Sequence, residues 1–519
     1  MPFPDAAAYQ WYEAHTQQII ARCHREVPAM VAVAQGPLHL WLPGGDGKYG
    51  SFFPRDFVMQ CRSGFIPRPA MEAALKLILL HQNGPDRRDL AHGLHINPWS
   101  VPDHINLLGL REATTDGVGA VFFPGTNSPG NDQGTGRYGT RGTDDNVYEV
   151  IELTRLLNAD RALLQCEING VTVFDRLHRA FHAAIVHPET GLCWNRKDDW
   201  AAANFHDGLG PQGYIALTSI LRFRGAQTMR DFCRLLGDEK NATEYERIAS
   251  KISASLITHL QQPSGWLNAA TEVNRQADTW STAMAVYYDV LQGEPRRRAC
   301  TALRQALRDG SVSRFGYLRH APAFADAVPG QQVWEDRLAG EPWGMYQNGG
   351  YWPTPLGYYV YGVAEVDREA ARQLATEFID HTRSRAEAGA PGATAGNYGI
   401  SLSWGVAGVH SSSAKYILDL DGNFATTGDQ TTFTMDQTKD ATGATVGDGS
   451  WSGFKSIGTF ALTANSKIMV TNNAAGSYLT LDEFLLAPQD TVAVPEPSTL
   501  FLLGVGGLVA YRMIRNRRR

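Results

Sequence analysis

Gly340-Glu341-Pro342-Trp343-Gly344-Met345-Tyr346-Gln347-Asn348-Gly349-Gly350-Tyr351-Trp352-Pro353 gathers a carboxylate, two side-chain amides and four aromatic rings into one stretch. Paired glycines and two prolines keep any helical or strand period from running through it. A long loop of this kind inside a compact region is usually functional. Amides exchange hydrogen bonds with hydroxyls, and the faces of Trp343, Tyr346, Tyr351 and Trp352 are flat enough to stack on a pyranose ring. Aromatics in an isolated stretch are more often core. Here the interleaved glycines and the amides of Gln347 and Asn348 favour a pocket.

Outward from this loop the period is helical. Between about residues 6 and 385, apolar residues recur every 3.6 positions over 7–25, 69–82, 146–157, 174–185, 213–222, 228–236, 242–260, 279–291, 296–307 and 368–382. Asp144 and Asp145 stand where an N-cap and a first turn are expected, and Gly237 stands where a helix should stop. Loops rich in Trp, Tyr, Gly, Asn and Asp cover 41–56, 96–104, 122–145, 192–210 and 334–355. Many helices joined by long loops predict an antiparallel helical barrel or a solenoid, and the absence of a recurring sequence unit argues against the solenoid. Near 386–396 the composition changes to a small-residue linker, Ala-Glu-Ala-Gly-Ala-Pro-Gly-Ala-Thr-Ala-Gly. Beyond it the period becomes two: Tyr398, Ile400, Leu402 and Trp404 alternate, as do Tyr416, Leu418 and Leu420. Further strands are expected at 432–435, 455–462, 467–471 and 478–485, so 396–488 reads as a small antiparallel β-sandwich.

Bulk properties narrow the function. The chain has 519 residues, 43% of them hydrophobic and 19% charged, which supports a folded core and argues against wholesale disorder. A net charge of −6 gives no footprint for nucleic acid and fits a neutral or cationic ligand better than a polyanion. The six cysteines, Cys23, Cys61, Cys166, Cys193, Cys233 and Cys300, show no metal spacing. His92 with His95, and His178 with His182, have spacing that suits zinc, but no His-Glu-x-x-His accompanies them. Phosphate-loop, dinucleotide and nucleophile-elbow motifs are missing too, so neither metal nor cofactor is expected.

Several short motifs sit in the long loops: Gly50-Ser-Phe-Phe-Pro54-Arg55-Asp56-Phe57, Thr143-Asp144-Asp145-Asn146, Trp194-Asn-Arg-Lys-Asp198-Asp199-Trp200, Trp334-Glu335-Asp336 and the opening stretch. Together they resemble the six-hairpin, or (α/α)6-barrel, glycosidases. The resemblance implies a substrate pocket at one end of a barrel spanning 1–388. It also implies that Arg55 and Asp56 hold sugar hydroxyls, although a simple ion pair between them is an equal alternative. Asp144, Asp145, Trp200, Trp343, Tyr346, Gln347, Asn348 and Trp352 are the further candidate substrate contacts. Glycoside cleavage needs one carboxylic acid to protonate the leaving oxygen and a second carboxylate to activate water or attack the sugar. A like-charge neighbour and flanking aromatics suit the first role, so Asp199 is expected as general acid, with Asp198 as its alternate. The competing use of the pair is to cap the following segment. Glu341 is expected as the second carboxylate, with Glu335 as alternate, in a mechanism that inverts the anomeric centre.

After a linker at 389–396, the stretches Ala414-Lys-Tyr416-Ile-Leu-Asp-Leu420, Phe433-Thr-Met-Asp436-Gln437, Gly458-Thr-Phe-Ala-Leu462, Val470-Thr-Asn472-Asn473-Ala-Ala-Gly476 and Leu481-Asp482-Glu-Phe484 are similar to the golvesin-like module. The similarity implies a carbohydrate-binding type of sandwich at 397–488 that lacks the usual first strands. Trp404 and Trp451 read as core in preference to sugar platforms. Residues 489–519 hold Val494-Pro-Glu-Pro497-Ser-Thr499, an apolar run over 500–511, and a basic end at Arg512, Arg515 and Arg517–Arg519. The apolar run is short against the ~20 residues of a stable span, and the basic end belongs on the cytoplasmic side. This order resembles the PEP-CTERM signal, which implies an exosortase-type processing partner and at least transient membrane contact. An ordinary C-terminal anchor is the alternative. The N-terminus shows no basic, then apolar, export signal, so a misplaced start or an incomplete chain is expected.

The combined expectation is a multidomain chain: an all-α (α/α)6 toroid, a small antiparallel β-sandwich and a C-terminal hydrophobic sorting helix. Its expected function is a surface-directed glycoside hydrolase acting on a carbohydrate. A polysaccharide lyase on the same toroid and a non-catalytic glycan-binding surface protein are the rivals.

Overall fold

The computed structural model describes residues 6–27, 37–43, 50–90, 93–106, 120–122, 142–197, 199, 209–323, 334, 347–387, 396–406, 408, 410–447, 450–463, 466–471 and 484–488. Two compact units are present, one running to Ile379 and the next beginning at Asp380.

The first unit is helical. Its described helices are α1 (Ala6–Cys23), α2 (Pro54–Cys61), α3 (Arg68–Leu80), α4 (Asn146–Leu156), α5 (Arg161–Gln165), α6 (Val173–Ala183), α7 (Ala216–Leu236), α8 (Glu239–His259), α9 (Thr279–Tyr287), α10 (Gly293–Arg308), α11 (Leu356–Ala364) and α12 (Arg368–Glu387), which crosses the unit boundary. They divide by burial. On α8 only a stripe is buried: Ala242, Tyr245, Ala249, Ile252 and Leu256. On α4 every residue from Asn146 to Thr154 is buried, and α9 is buried throughout. A stripe marks a helix with one wet face, whereas burial on all sides marks a helix enclosed by others. The enclosed helices pack in series, α2 on α4, α4 on α7, α7 on α9 and α9 on α11. A hydrogen bond from Arg62 on α2 to the Tyr358 hydroxyl on α11 joins the two ends of this series. The striped helices back them, α8 on α7 and α10 on α9 and α11.

Two expectations change here. The helices expected at 213–222 and 228–236 are one continuous helix, α7. Gly225, in its middle, is where Tyr148, Phe181 and Ile151 of the neighbouring helices approach; an added Cβ would stand 3.2 Å from the Tyr148 ring. Close packing thus overrides the propensity cost of the glycine. Helix α11 had no expected counterpart because Leu-Gly-Tyr-Tyr-Val-Tyr-Gly-Val-Ala is apolar on all sides and has no polar face to set a period.

Short antiparallel pairs join the helix ends. Ser51–Phe52 and Ala120–Val121 both pair with the strand His104–Asn106 between them, and Leu318 and Arg319 pair with Trp352 and Tyr351.

The second unit is β. Strand Gly396–Leu402 lies between Lys455–Leu462 and Phe484–Pro488, and strand Ala414–Asp419 lies between Gln430–Met435 and Lys467–Thr471, all antiparallel. Ile400, Leu402, Trp404 and Val406 share one apolar cluster with Ala414, Tyr416, Leu418 and Met435. The two sheets therefore bury facing residues against each other, as alternation requires. Trp404 is 1% exposed, and its ring N–H donates to the Lys439 carbonyl, which makes it core. Trp451 lies in the strand Ser450–Trp451, with its side chain outside the described set. Among the described residues no helix is long and apolar enough to cross a membrane. The sorting helix expected within 489–519 lies outside them.

Candidate active site

Pro54 opens α2 at its first position, where a missing N–H costs nothing, and Arg55 follows it. The guanidinium reaches two carboxylates: Nη2 stands 2.9 Å from Asp103 Oδ1, and Nη1 3.3 Å from Asp145 Oδ2. Asp103 lies just before the strand His104–Asn106, and its second oxygen accepts from His104 Nδ1 at 2.9 Å. That bond places the imidazole proton on Nδ1. The ring of Phe53 stacks on His104 with centroids 4.7 Å apart. Asn146, the first residue of α4, donates to the Pro102 carbonyl at 2.8 Å and so pins the approach to Asp103.

Asp145 is the N-cap residue of α4, yet its carboxylate makes no cap hydrogen bond. The oxygen goes to Arg55 instead, which corrects the simple capping role expected for it. The two partners of Arg55 respond oppositely. Burial pushes Asp145 up, Arg55 pulls it back, and Asp103 adds repulsion; the carboxyl is raised to about 6. Burial also acts on Asp103, but Arg55, His104 and Thr143 outweigh it and hold the carboxyl below its ordinary value. The shorter ion pair and the additional donors account for the difference.

Asp144 accepts from Asn97 Nδ2 at 3.4 Å. Two residues before Asn97, His95 Nε2 stands 3.5 Å from Asp199 Oδ1, while Arg196 Nη2 stands 3.2 Å from the other Asp199 oxygen. The Asp199 side chain is 18% exposed, against 1% or less for Asp103 and Asp145. Arg55, Asp103 and Asp145 thus form one contact group, and the neighbouring pairs Asn97–Asp144 and His95–Asp199 follow it along the sequence, Asp144 beside Asp145 and His95 two residues before Asn97. Asp56, in the first turn of α2, is half-buried.

A second group of contacts holds the end of the opening stretch. Gln347 and Asn348 are buried, and the Gln347 carbonyl accepts from Trp334 Nε1 at 2.8 Å. Arg319 donates to the Gly349 carbonyl at 3.1 Å and lies 4.5 Å above the Tyr351 ring. Trp352 is buried edge-on against His320, with centroids 5.4 Å apart, and Trp280 contacts the same imidazole. Asp198, Trp200, Glu335, Glu341, Trp343 and Tyr346 lie outside the described residues.

Sequence reasoning missed Asp103, His104 and Asn97, and considered His95 only as a metal ligand. Asn97, Asp103 and His104 belong to a stretch with no motif of its own, and the long loop at 96–104 was their one signal. His178, also weighed as a metal ligand, receives the Tyr245 hydroxyl at Nδ1, 2.9 Å away. Among the described residues, Asp419, Asp421 and Asp429 in the β unit lie close enough together to suit a cation. They also accept turn hydrogen bonds from Gly422, Asn423, Asp421 and Gln430, so the cluster is explained as a turn.

Residues 493–519 match the PEP-CTERM protein-sorting motif. The match implies exosortase-type processing and export to the cell surface or exterior. No curated protein matches the chain. Among solved structures, one described as a possible member of GH105 family, from Salmonella enterica serovar Paratyphi A, aligns at 17% identity with a TM-score of 0.22. That alignment covers 46% of this chain and 56% of the other, so it spans about half of that protein. A likeness this slight adds no weight to a fold or an activity.

Proposed function

We propose that the chain is a surface-directed glycoside hydrolase whose helical unit is an (α/α)6 toroid and whose β unit, over 397–488, is a golvesin-like carbohydrate-binding-type module. The observation that carries this reading is the pair of carboxylates, Asp103 and Asp145, that Arg55 gathers at the start of α2, with the Asn97–Asp144 and His95–Asp199 contacts next to them in sequence. Hydrolysis of a glycoside needs carboxylates in different environments, one to give a proton and one to act on water. Asp199 keeps the most exposed carboxylate of the set, and it is assigned the general acid; Glu341 is assigned the water-activating base. Asp198 and Glu335 are their alternates. Arg55, buried and doubly paired, organises Asp103 and Asp145, while Asp144 and Asn97 present polar groups to sugar hydroxyls. Gln347, Asn348 and Trp352 complete the proposed pocket from the second group of contacts.

The test uses chain ending at Val494, screened for reducing-sugar release on neutral oligosaccharides. Asp199→Asn and Glu341→Gln are each expected to lower kcat by roughly 100-fold or more. Full activity in both variants would sink the assignment. An unsaturated product would move the reaction to a lyase, and saturable glycan binding without turnover would make this a surface adhesion protein.

A further inference from the structure

Asp145, the N-cap of α4, lines up with Glu149 and Glu152 on successive turns of that helix, and Arg55 in the first turn of α2 lines up with Arg62, the residue that closes α2, two turns on. Buried ion pairs connect them as rungs. Arg55 meets Asp145 at 3.3 Å, and one turn further along Arg62 Nη2 meets Glu149 Oε2 at 3.1 Å. Glu152 is held by Arg155 at 2.6 Å and by Arg224 of α7 at 3.4 Å. The other arm of Arg62 donates to Tyr358 on α11. The first rung belongs to the candidate active site. The second is fully enclosed, so Glu149 has no surface to offer a sugar. The groups facing Glu149 are Arg55 and Arg62 from α2, Asp145 and Glu152 from α4, Tyr288 from α9 and Tyr358 from α11.

We propose that Glu149 is a positioning residue for the candidate active site, whose charge decides whether α2 and α4 are held by two ion-pair rungs or by one. The inference rests on the glycosidase reading above, because it treats Arg55, with Asp103 and Asp145, as the buried support of the proposed pocket. Burial pushes Glu149 up to about 7, with Glu152 and Asp145 adding repulsion and Arg62 opposing it. Glu152, with two guanidiniums, is held down to about 2 and stays ionised. Above neutral pH both rungs are charged, and the spacing of α2 on α4 is set at two points. As pH falls through about 7 the second rung loses its charge, leaving Arg55 to fix the register alone.

These rungs improve definition at an expense in stability, as buried ion pairs often do. The sign follows from linkage. Glu149 is raised above its ordinary value in the folded chain, so its contribution is fully present at low pH and is lost as pH rises through about 7. Thermal stability should therefore decline up to about pH 7, and substrate affinity should improve across pH 7, as the folded chain loses the Glu149 proton.

The experiment compares wild type with Glu149→Gln between pH 5.5 and 8.5, measuring Tm and, on whichever oligosaccharide is turned over, KM and kcat. Wild type should show Tm falling as pH rises from the ordinary glutamate range to about 7, and KM falling on the order of threefold to tenfold with its midpoint near pH 7. The variant should lose the KM step and the part of the Tm decline above about pH 6, where Asp145 no longer contributes, while retaining turnover. If it fails to fold, the charge-free pair Arg62→Met with Glu149→Leu carries the same expectation. A Tm step that disappears while the KM step remains would make Glu149 purely structural and overturn the proposal. Retention of both steps would overturn it as well. Absence of any turnover or glycan binding in wild type would instead bring down the glycosidase reading, and this inference with it.

Discussion

Arg55 divides one guanidinium between two buried aspartates that answer in opposite directions. Asp103 is held below its ordinary value and Asp145 is raised to about 6. By linkage, Asp103 contributes stability above the ordinary carboxylate range that disappears as pH falls. Asp145 contributes stability at low pH that disappears as pH rises from about 4 to 6. Asp103→Asn should thus be the costlier change at neutral pH, by roughly 3 kcal/mol in urea unfolding, because it strips the closer partner from both Arg55 and His104. Asp145→Asn should cost less and should flatten the decline of Tm between pH 4 and 6. Equal losses from the two variants would contradict the asymmetry. Arg55, Asp144 and Asp145 were legible as charges standing among aromatics and at a helix start. Asp103 and Asn97 were not, since each is a single polar residue in an irregular loop whose partner lies more than forty positions away. Pairing at that distance is decided by how helices pack.

At the scale of elements, periodicity reported the helices with one wet face and also the enclosed α4 and α9, whose sequences keep some polar residues, and it failed for α11. The stripe on α8 was readable to within a few residues, whereas α11, apolar on every side, carried no period. The same division applies to caps. Asp238 starts α8 and accepts from the Asn241 N–H at 3.0 Å, so Asp238→Ala should cost about 1 kcal/mol. Asp145 resembles a cap in sequence, but its oxygen is committed to Arg55, so the loss on replacing it should change between about pH 4 and 6, whereas that of Asp238, whose cap hydrogen bonds hold its carboxyl below the ordinary value, should change only at lower pH. Turns give a sharper case. Gly316 has φ +80°, and an added Cβ would stand 2.4 Å from Phe378 Cα in α12. Gly316→Ala should therefore destabilise by more than about 1 kcal/mol, read as a lower urea midpoint with unchanged slope. In the β unit, the strands expected at 455–462 and 467–471 have those observed bounds, set by the polar turn residues that flank them.

For the whole molecule, address and chemistry come from different parts of the chain. The match at 493–519 implies that surface-localised chain is processed, so its mass should lack the basic end at Arg519. Finding Arg519 intact on exported chain would argue for a plain anchor. The proposed chemistry rests on carboxylates around Arg55 and on Asp199, and the most direct test of it is the anomer first released from a neutral oligosaccharide, followed by proton NMR. An inverted hemiacetal, formed by wild type and lost in Asp199→Asn, is the result expected of an acid and a base separated by a water. A retained anomer, an unsaturated sugar, or release undiminished by Asp199→Asn would contradict it.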